Sequence, residues 1–176
     1  MVLESDIANL FVREYTAFLL YCYIQRCDEN CDDELLYKLS QGRDAYERER
    51  TLFEEYLDSN KEVPLAIANA IRSLMINNWA YLRDTTKYSL FINTEGTSAF
   101  AVLGLTQPIK ELFGCSGLYM KAGVFCLNGQ YVCDGLIADQ VILGKGYRDQ
   151  FNENYRELKG TGNFFKSSNS SIRRTG

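Results

Sequence analysis

One group of residues that could take part in binding chemistry is a short glycine-flanked segment just before the last predicted helix. Gly144, Lys145, Gly146 and Arg148 fall together there. The start of a helix presents free backbone amides and the positive end of the helix dipole, and glycines let an anion approach the backbone. Lys145 and Arg148 would add charge-assisted hydrogen bonds to a nucleotide or nucleic-acid phosphate. The segment predicts an anion site, with a flexible strand-to-helix turn as the alternative.

A second group is a pair of acids at the end of a predicted strand. Asp134 is followed by a glycine, and Asp139 comes five residues later. Carboxylates placed in this way can bind Mg²⁺ and support phosphoryl chemistry. Asp-Gly is also an ordinary turn dipeptide, so a purely structural turn is the alternative interpretation.

A third group lies in the polar C-terminal stretch, where no acid follows Lys159. Basic residues interleaved with aromatic ones suit single-stranded nucleic acid, whose bases stack on rings while its phosphates pair with cations. The interacting residues would be Lys159, Phe164, Phe165, Lys166, Arg173 and Arg174. An ordinary polar tail, or one that docks on its own protein or on a partner, is the alternative.

Composition excludes several reaction classes. The chain has no histidine, so it has no imidazole base, no histidine metal ligand and no Ser-His or Cys-His pair. None of its six cysteines forms a Cys-x-x-Cys pair, which favours structural thiols over a zinc site or disulfides. We therefore assign no catalytic residue and expect no cofactor.

Charge divides the chain into two parts. Residues 1–62 carry 7 Lys and Arg against 15 Asp and Glu, whereas residues 63–176 carry 12 against 8. With 46% hydrophobic residues the chain can bury a core. We expect an acidic helical region at 1–62, an α+β module at 63–160 and a basic polar tail at 161–176. Neither a membrane span nor a signal peptide is evident, which predicts a cytoplasmic protein.

Hydrophobic periodicity near 3.6 residues predicts four helices in the first part. They begin at Ser5 or Asp6, run from Asp33 to near Gly42, run from Arg43 to Leu57, and begin at Pro64, with a break at Asn77-Asn78. Pro64 suits the first turn of a helix because its missing N–H is not needed there.

Short apolar runs separated by turn signals predict a sheet in the second part. A three-stranded antiparallel meander is expected at 79–82, 88–92 and 99–105, followed by a short helix at 106–113. A hairpin at 118–127 and 131–137 turns at Asn128-Gly129, and a last helix runs from Tyr147 to Lys159. The predicted class is α+β: N-terminal helices, then a small, mostly antiparallel sheet with a C-terminal helix.

Three segments of the second part resemble a known group of proteins. They are LGLTQPIKELFG at 103–114, DGLI at 134–137 and GKGYR at 144–148. Over residues 80–160 the chain resembles a widespread group of uncharacterised proteins of Firmicutes and their mobile elements. The resemblance implies a module behind a variable helical front half, and it supplies no chemistry. The group carries a glycine-rich stretch before the last helix, which Lys145 interrupts here.

Together these observations predict a non-enzymatic binding or regulatory protein, associated with a mobile element, that has a protein partner or forms a homo-oligomer. One alternative is a small protein or enzyme that binds a phosphate ligand such as a nucleotide. A second alternative is a nucleic-acid binder that uses the basic tail. No membrane partner is expected.

Overall fold

A computed structural model describes residues 1–27, 34–59 and 62–167 of the chain. Within these residues it contains six helices and a six-stranded, mostly antiparallel sheet, which confirms the predicted α+β class. The chain divides into two compact units. One is the helical unit, Ser5–Arg72, and the other is the barrel unit, which joins Met1–Glu4 to the residues from Ser73 onward.

The helical unit is held together by aromatic side chains. Its helices are α1 (Ser5–Arg26), α2 (Leu35–Arg48), α3 (Leu52–Ser59) and α4 (Leu65–Arg72). The fully buried ring of Phe18 meets the rings of Tyr46 and Phe53 edge-on, each at 4.9 Å between centroids. The Tyr46 hydroxyl donates a hydrogen bond to the Ile71 carbonyl at 3.3 Å and so links α2 to α4.

The predicted boundaries of the second and third helices are wrong. The helix predicted from Arg43 to Leu57 is interrupted between Arg48, where α2 ends, and Leu52, where α3 begins. The sequence places the end of a helix near Gly42 and a new start at Arg43, but α2 continues through both residues. Gly42 is buried against α1, where an added Cβ would clash with the carbonyl oxygen of Leu19. The glycine therefore lets two helices approach closely and does not end one of them.

Ion pairs fasten the outside of the helical unit. The guanidinium of Arg26 lies 2.7 Å from the Glu49 carboxylate and 3.8 Å from that of Glu55. Arg72 on α4 pairs in the same way with Glu54 on α3 at 2.9 Å. These pairs are solvent-exposed, so water and salt screen them and each contributes little to the free energy of unfolding.

The barrel unit follows the predicted order of elements. Its elements are β1 (Met75–Asp84), β2 (Ser89–Asn93), β3 (Ala99–Leu103), α5 (Ile109–Phe113), β4 (Leu118–Leu127), β5 (Gln130–Ile142), α6 (Lys145–Thr161) and β6 (Phe164–Phe165). The break predicted at Asn77-Asn78 is wrong, because both residues lie inside β1 and pair with Ala122 and Lys121 of β4. Pairing with a neighbouring strand overrides their local preference for turns.

Five of the strands close into a ring. β1 pairs antiparallel with β2 and β4, β4 with β5, and β2 with β3, while β3 runs parallel to β5. The order around the ring is β1-β2-β3-β5-β4, and α5 lies between β3 and β4 in the chain. This is the strand order of the OB-fold, a five-stranded Greek-key barrel. Its interior includes Trp79, Tyr81, Phe91, Val102, Met120 and Val124.

The outer face of β1 and β2 is covered by α6. Leu82, Leu90 and Ile92 point away from the barrel interior and pack with Leu158 of α6. Phe151 and Tyr155 of the same helix pack against this cluster. The outer side of these strands is therefore aliphatic and is occupied by the chain's own helix.

The first residues of the chain belong to the barrel unit. Val2 forms a parallel bridge with Gly104, directly after β3. The Leu3 amide donates to the Gly104 carbonyl at 3.0 Å, and the Gly104 amide donates to the Met1 carbonyl at 3.1 Å. The helical unit is therefore inserted between two segments of the barrel unit. Among the described residues, no helix is both long enough and apolar enough to cross a bilayer.

Candidate functional site

The glycine-flanked segment lies at the start of α6. Gly144 is the residue before the helix, and its carbonyl accepts the Arg148 amide at 3.0 Å. Lys145 and Arg148 are three residues apart in the first turn and both exposed, so they share one side of the helix. The Arg148 side chain lies along Gly117, where an added Cβ would come within 2.7 Å of its Cδ. The helix places both cations on the same side of its first turn, and anion binding there stays a prediction.

Asp134 has a structural task inside the barrel. Its buried carboxylate accepts the backbone amides of Gly123 and Leu136, each at 3.1 Å. Gly135 between them has a φ of 77°, and the pairing of β4 with β5 shifts register there. The carboxylate therefore bridges a bulge, satisfying amides that the shifted strand pairing leaves open.

Asp139 occupies a second irregularity of the same strand. It is exposed, has a φ of 53°, and lies at the register shift opposite Tyr119 and Lys121. Aspartate is one of the few residues that adopt this left-handed conformation readily. In the described parts of the chain, no three His, Cys, Asp or Glu side chains are grouped as a metal ion would need.

The two phenylalanines of the predicted tail dock on their own protein. Phe164 and Phe165 form β6, which runs parallel to the first residues of β3. The Phe165 ring lies 5.3 Å from that of Phe100. Lys159 and Lys166 are exposed, and Arg173 and Arg174 fall outside the described residues.

Around Phe164 the structure assembles a cluster that the sequence did not reveal. The Phe164 ring lies 5.2 Å from that of Tyr155 and 5.7 Å from that of Tyr88. The Arg83 guanidinium sits over the Tyr155 ring at 5.5 Å, and the Lys166 ammonium over Phe164 at 5.8 Å. We call these residues, together with Lys87, the aromatic rim. Burial and a hydrogen bond with Tyr88 raise the pKa of the Tyr155 hydroxyl.

A second surface feature lies where α1 ends and α2 begins. Leu35, Leu36 and Tyr37 are consecutive and are 56%, 69% and 52% exposed. Ile24 near the end of α1 is 54% exposed. The two helix ends are neighbours, since the ammonium of Lys38 lies over the ring of Tyr23 at 5.8 Å. We call Ile24, Leu35, Leu36 and Tyr37 the apolar tip.

The sequence predicts helices at the residues of the apolar tip, but the exposure of their side chains was not predicted. A signal was present, because three consecutive apolar residues cannot all face one side of a helix with 3.6 residues per turn. The acids that precede Leu35 in the chain also indicate an exposed segment, because charged residues are rarely buried.

The cysteines are divided between core and partly exposed positions. Cys22 and Cys133 are buried, whereas Cys27, Cys115 and Cys126 are half-buried. None of these five forms a disulfide, and Cys31 falls outside the described residues. Burial raises the pKa of the Cys22 thiol to about 12, which keeps it protonated and unreactive at neutral pH.

Comparison of the chain with protein-family profiles, with curated proteins and with solved structures found no significant similarity. The functional conclusion therefore depends on the geometry of the chain itself.

Proposed function

We propose that the chain is a non-enzymatic binding protein whose helical unit docks on a partner protein through the apolar tip. The observation that carries this proposal is the exposure of Leu35, Leu36 and Tyr37, three large apolar side chains in a row at the start of α2. Single exposed apolar residues are common on protein surfaces, but a consecutive group is typical of an interaction site.

Docking of a partner on the apolar tip would remove its exposed apolar side chains from water. Removing apolar surface from water stabilises a complex by about 25 cal/mol per Å² of buried area. Leu36 protrudes most among the three side chains of α2, and Tyr37 combines a large ring with a polar hydroxyl. Such rigid aromatic residues often carry a large share of the energy of an interface. The tip therefore has the composition of an interface centre.

Charge favours a different protein over a second copy as the partner. The helical unit contains 8 Lys and Arg against 14 Asp and Glu, a net charge of −6. Two copies meeting through this unit would repel each other, whereas a basic rim on a partner would be attracted. The partner we propose presents an apolar patch edged by Lys and Arg. In line with the sequence resemblance, we propose that the chain itself is a regulatory protein associated with a mobile element.

The test compares three immobilised forms of the full chain in extract of the source organism. Leu36→Glu places a charge in the tip. Leu65→Glu makes the same change at a side chain that is 72% exposed on α4, and serves as the matched control. Bound proteins are identified by mass spectrometry, then purified and rebound. We expect one partner to bind wild type and Leu65→Glu, to bind Leu36→Glu at least tenfold more weakly, and to dissociate more readily as salt is raised.

Two results would overturn the proposal. One is a set of bound proteins that is the same for all three forms. The other is a concentration-dependent dimer of wild type, measured by light scattering, that Leu36→Glu abolishes, because the tip would then serve self-association.

A further inference from the structure

We propose that the aromatic rim of the barrel unit binds single-stranded nucleic acid. The rim consists of Tyr88, Tyr155 and Phe164 with three cations around them, Arg83, Lys87 and Lys166. It lies where the turn between β1 and β2 meets α6 and β6. Its residues all belong to the barrel unit, whereas those of the apolar tip belong to the helical unit.

The first support is the charge state of the rim cations. All three are exposed. Within the described residues, no carboxylate forms an ion pair with Arg83, Lys87 or Lys166. Arg83 bonds instead to the neutral side-chain oxygen of Asn152. The arginines Arg26 and Arg72 of the helical unit, in contrast, are both neutralised by glutamates. The rim thus keeps positive charge that a phosphate backbone can use.

The second support is that rings and cations are interleaved. A base stacks on an aromatic ring or on the flat face of a guanidinium, while the neighbouring phosphate takes hydrogen bonds from Lys or Arg. Here the Arg83 guanidinium lies over the Tyr155 ring at 5.5 Å, and the Lys166 ammonium lies over the Phe164 ring at 5.8 Å. The Tyr88 ring is tilted by 54° against that of Phe164, with 5.7 Å between the centroids. Arg83 and Lys166 are therefore each next to an aromatic ring, and Lys87 directly precedes Tyr88 in the chain.

The third support is that the rim is already ordered. The Thr85 hydroxyl accepts the amides of Lys87 and Tyr88 at 3.1 and 3.0 Å and donates to the Tyr88 carbonyl at 2.8 Å. This closed turn fixes the backbone that carries Lys87 and Tyr88. Because the loop is already ordered, it loses little conformational entropy when a ligand binds.

The rim lies at the edge of the outer barrel face that α6 covers. The covered face presents Leu82, Leu90 and Ile92, which offer neither rings nor charges. At the edge of that contact the residues change to Tyr, Phe, Arg and Lys. The helix that covers this face contributes Tyr155 to the rim.

The experiment measures binding of fluorescein-labelled oligo(dT) and oligo(U) 12-mers to the full chain by anisotropy, across a series of salt concentrations. With three phosphate contacts, log K against log salt should have a slope of about −2, and each of Arg83→Ala, Lys87→Ala and Lys166→Ala should reduce its steepness by about 0.7. Tyr88→Leu keeps an apolar side chain against Phe164, so it should weaken binding about tenfold and leave the slope unchanged.

Lys110→Ala is the matched control, because it removes an exposed lysine on α5 of the same unit. It should leave affinity within about twofold of wild type. If Lys110→Ala and Lys87→Ala reduced the affinity for the 12-mers equally, the oligonucleotides would be attracted by positive charge alone, and the proposal would be overturned. Binding of heparin or of duplex DNA as tight as that of the 12-mers would also overturn it, as would an affinity that Tyr88→Leu does not change. Thermal unfolding of each variant checks that the fold is intact.

Discussion

At the scale of single residues, Asp134 shows how a site-like residue can serve the fold. An acid followed by glycine at a strand end resembles a metal ligand in sequence. In the structure its carboxylate is buried and accepts amides from two strands, Gly123 of β4 and Leu136 of β5. A neutral side chain without an acceptor would leave both amides without this partner.

Asp134→Ala should lower the free energy of unfolding by about 2–4 kcal/mol, since each buried amide left unsatisfied costs about 1–3 kcal/mol. Urea unfolding followed by circular dichroism measures the change. Asp139→Asn is the control, because it alters an exposed acid and keeps a residue tolerant of positive φ. It should stay within about 0.5 kcal/mol of wild type. Equal effects of the two changes, or a loss that appears only when Mg²⁺ is present, would contradict the structural role.

At the scale of elements, Gly42 decides how α1 and α2 approach each other. Helix–helix distances of 8–10 Å depend on the side chains at the contact. Gly42 has no Cβ, which lets the backbone of α2 come against the Leu19 carbonyl of α1. From local propensity alone, a glycine inside a polar stretch predicts the end of a helix. In the folded protein the contact with α1 stabilises α2 through this position.

Gly42→Ala should destabilise the protein by about 3 kcal/mol, because the methyl group meets backbone that cannot move aside cheaply. Gly160→Ala is the opposite case, a helical glycine with no atom near an added Cβ. It should stabilise by about 0.5–1 kcal/mol through helix propensity. Thermal and urea unfolding of the two variants test the pair. A stable Gly42→Ala protein would show that the helices can separate without cost.

The elements themselves were largely predictable, and their partners were not. Alternation of apolar residues and the Asn128-Gly129 turn predict β4 and β5 as a hairpin, because both signals are local. The parallel contact of β3 with β5 joins Val102 to Tyr131 across an intervening helix and strand, and no local signal encodes it. The same holds for the rim, since Arg83 on β1 lies far along the chain from Tyr155 and Phe164. The acids Asp134 and Asp139 were found from sequence, but their roles in bulges were not.

At the scale of the whole molecule, buried ionisable side chains set the response to alkali. The pKa of Cys22 rises from 9.0 to about 12 by burial. Burial also raises the pKa values of Tyr46, Tyr56 and Tyr131. Below pH 9 the folded and unfolded chains hold these protons equally. Above it the unfolded chain releases the Cys22 proton while the folded chain keeps it, so the free energy of unfolding falls as pH rises.

We therefore expect stability to decline between about pH 9 and 12, measured by urea unfolding at a series of pH values. Cys22→Ala should flatten this decline, while Cys27→Ala at a half-buried position should leave it unchanged. Iodoacetamide at pH 8 should modify Cys27 and Cys126 before Cys22, and unfolding should abolish the difference. Early labelling of Cys22, or identical pH profiles of the two variants, would contradict the burial effect.

The bridge between Val2 and Gly104 carries a consequence for synthesis on the ribosome. Residues 1–4 emerge before the helical unit, yet their strand partner is made only after the entire helical unit and β1 to β3. The helices, whose contacts are mostly local, can form early, because low contact order favours rapid folding. The barrel must wait for β5 and α6, which follow all four helices of the helical unit in the chain. Nascent chains arrested before β5 should therefore protect α1 to α4 from protease and leave the first residues open to cleavage.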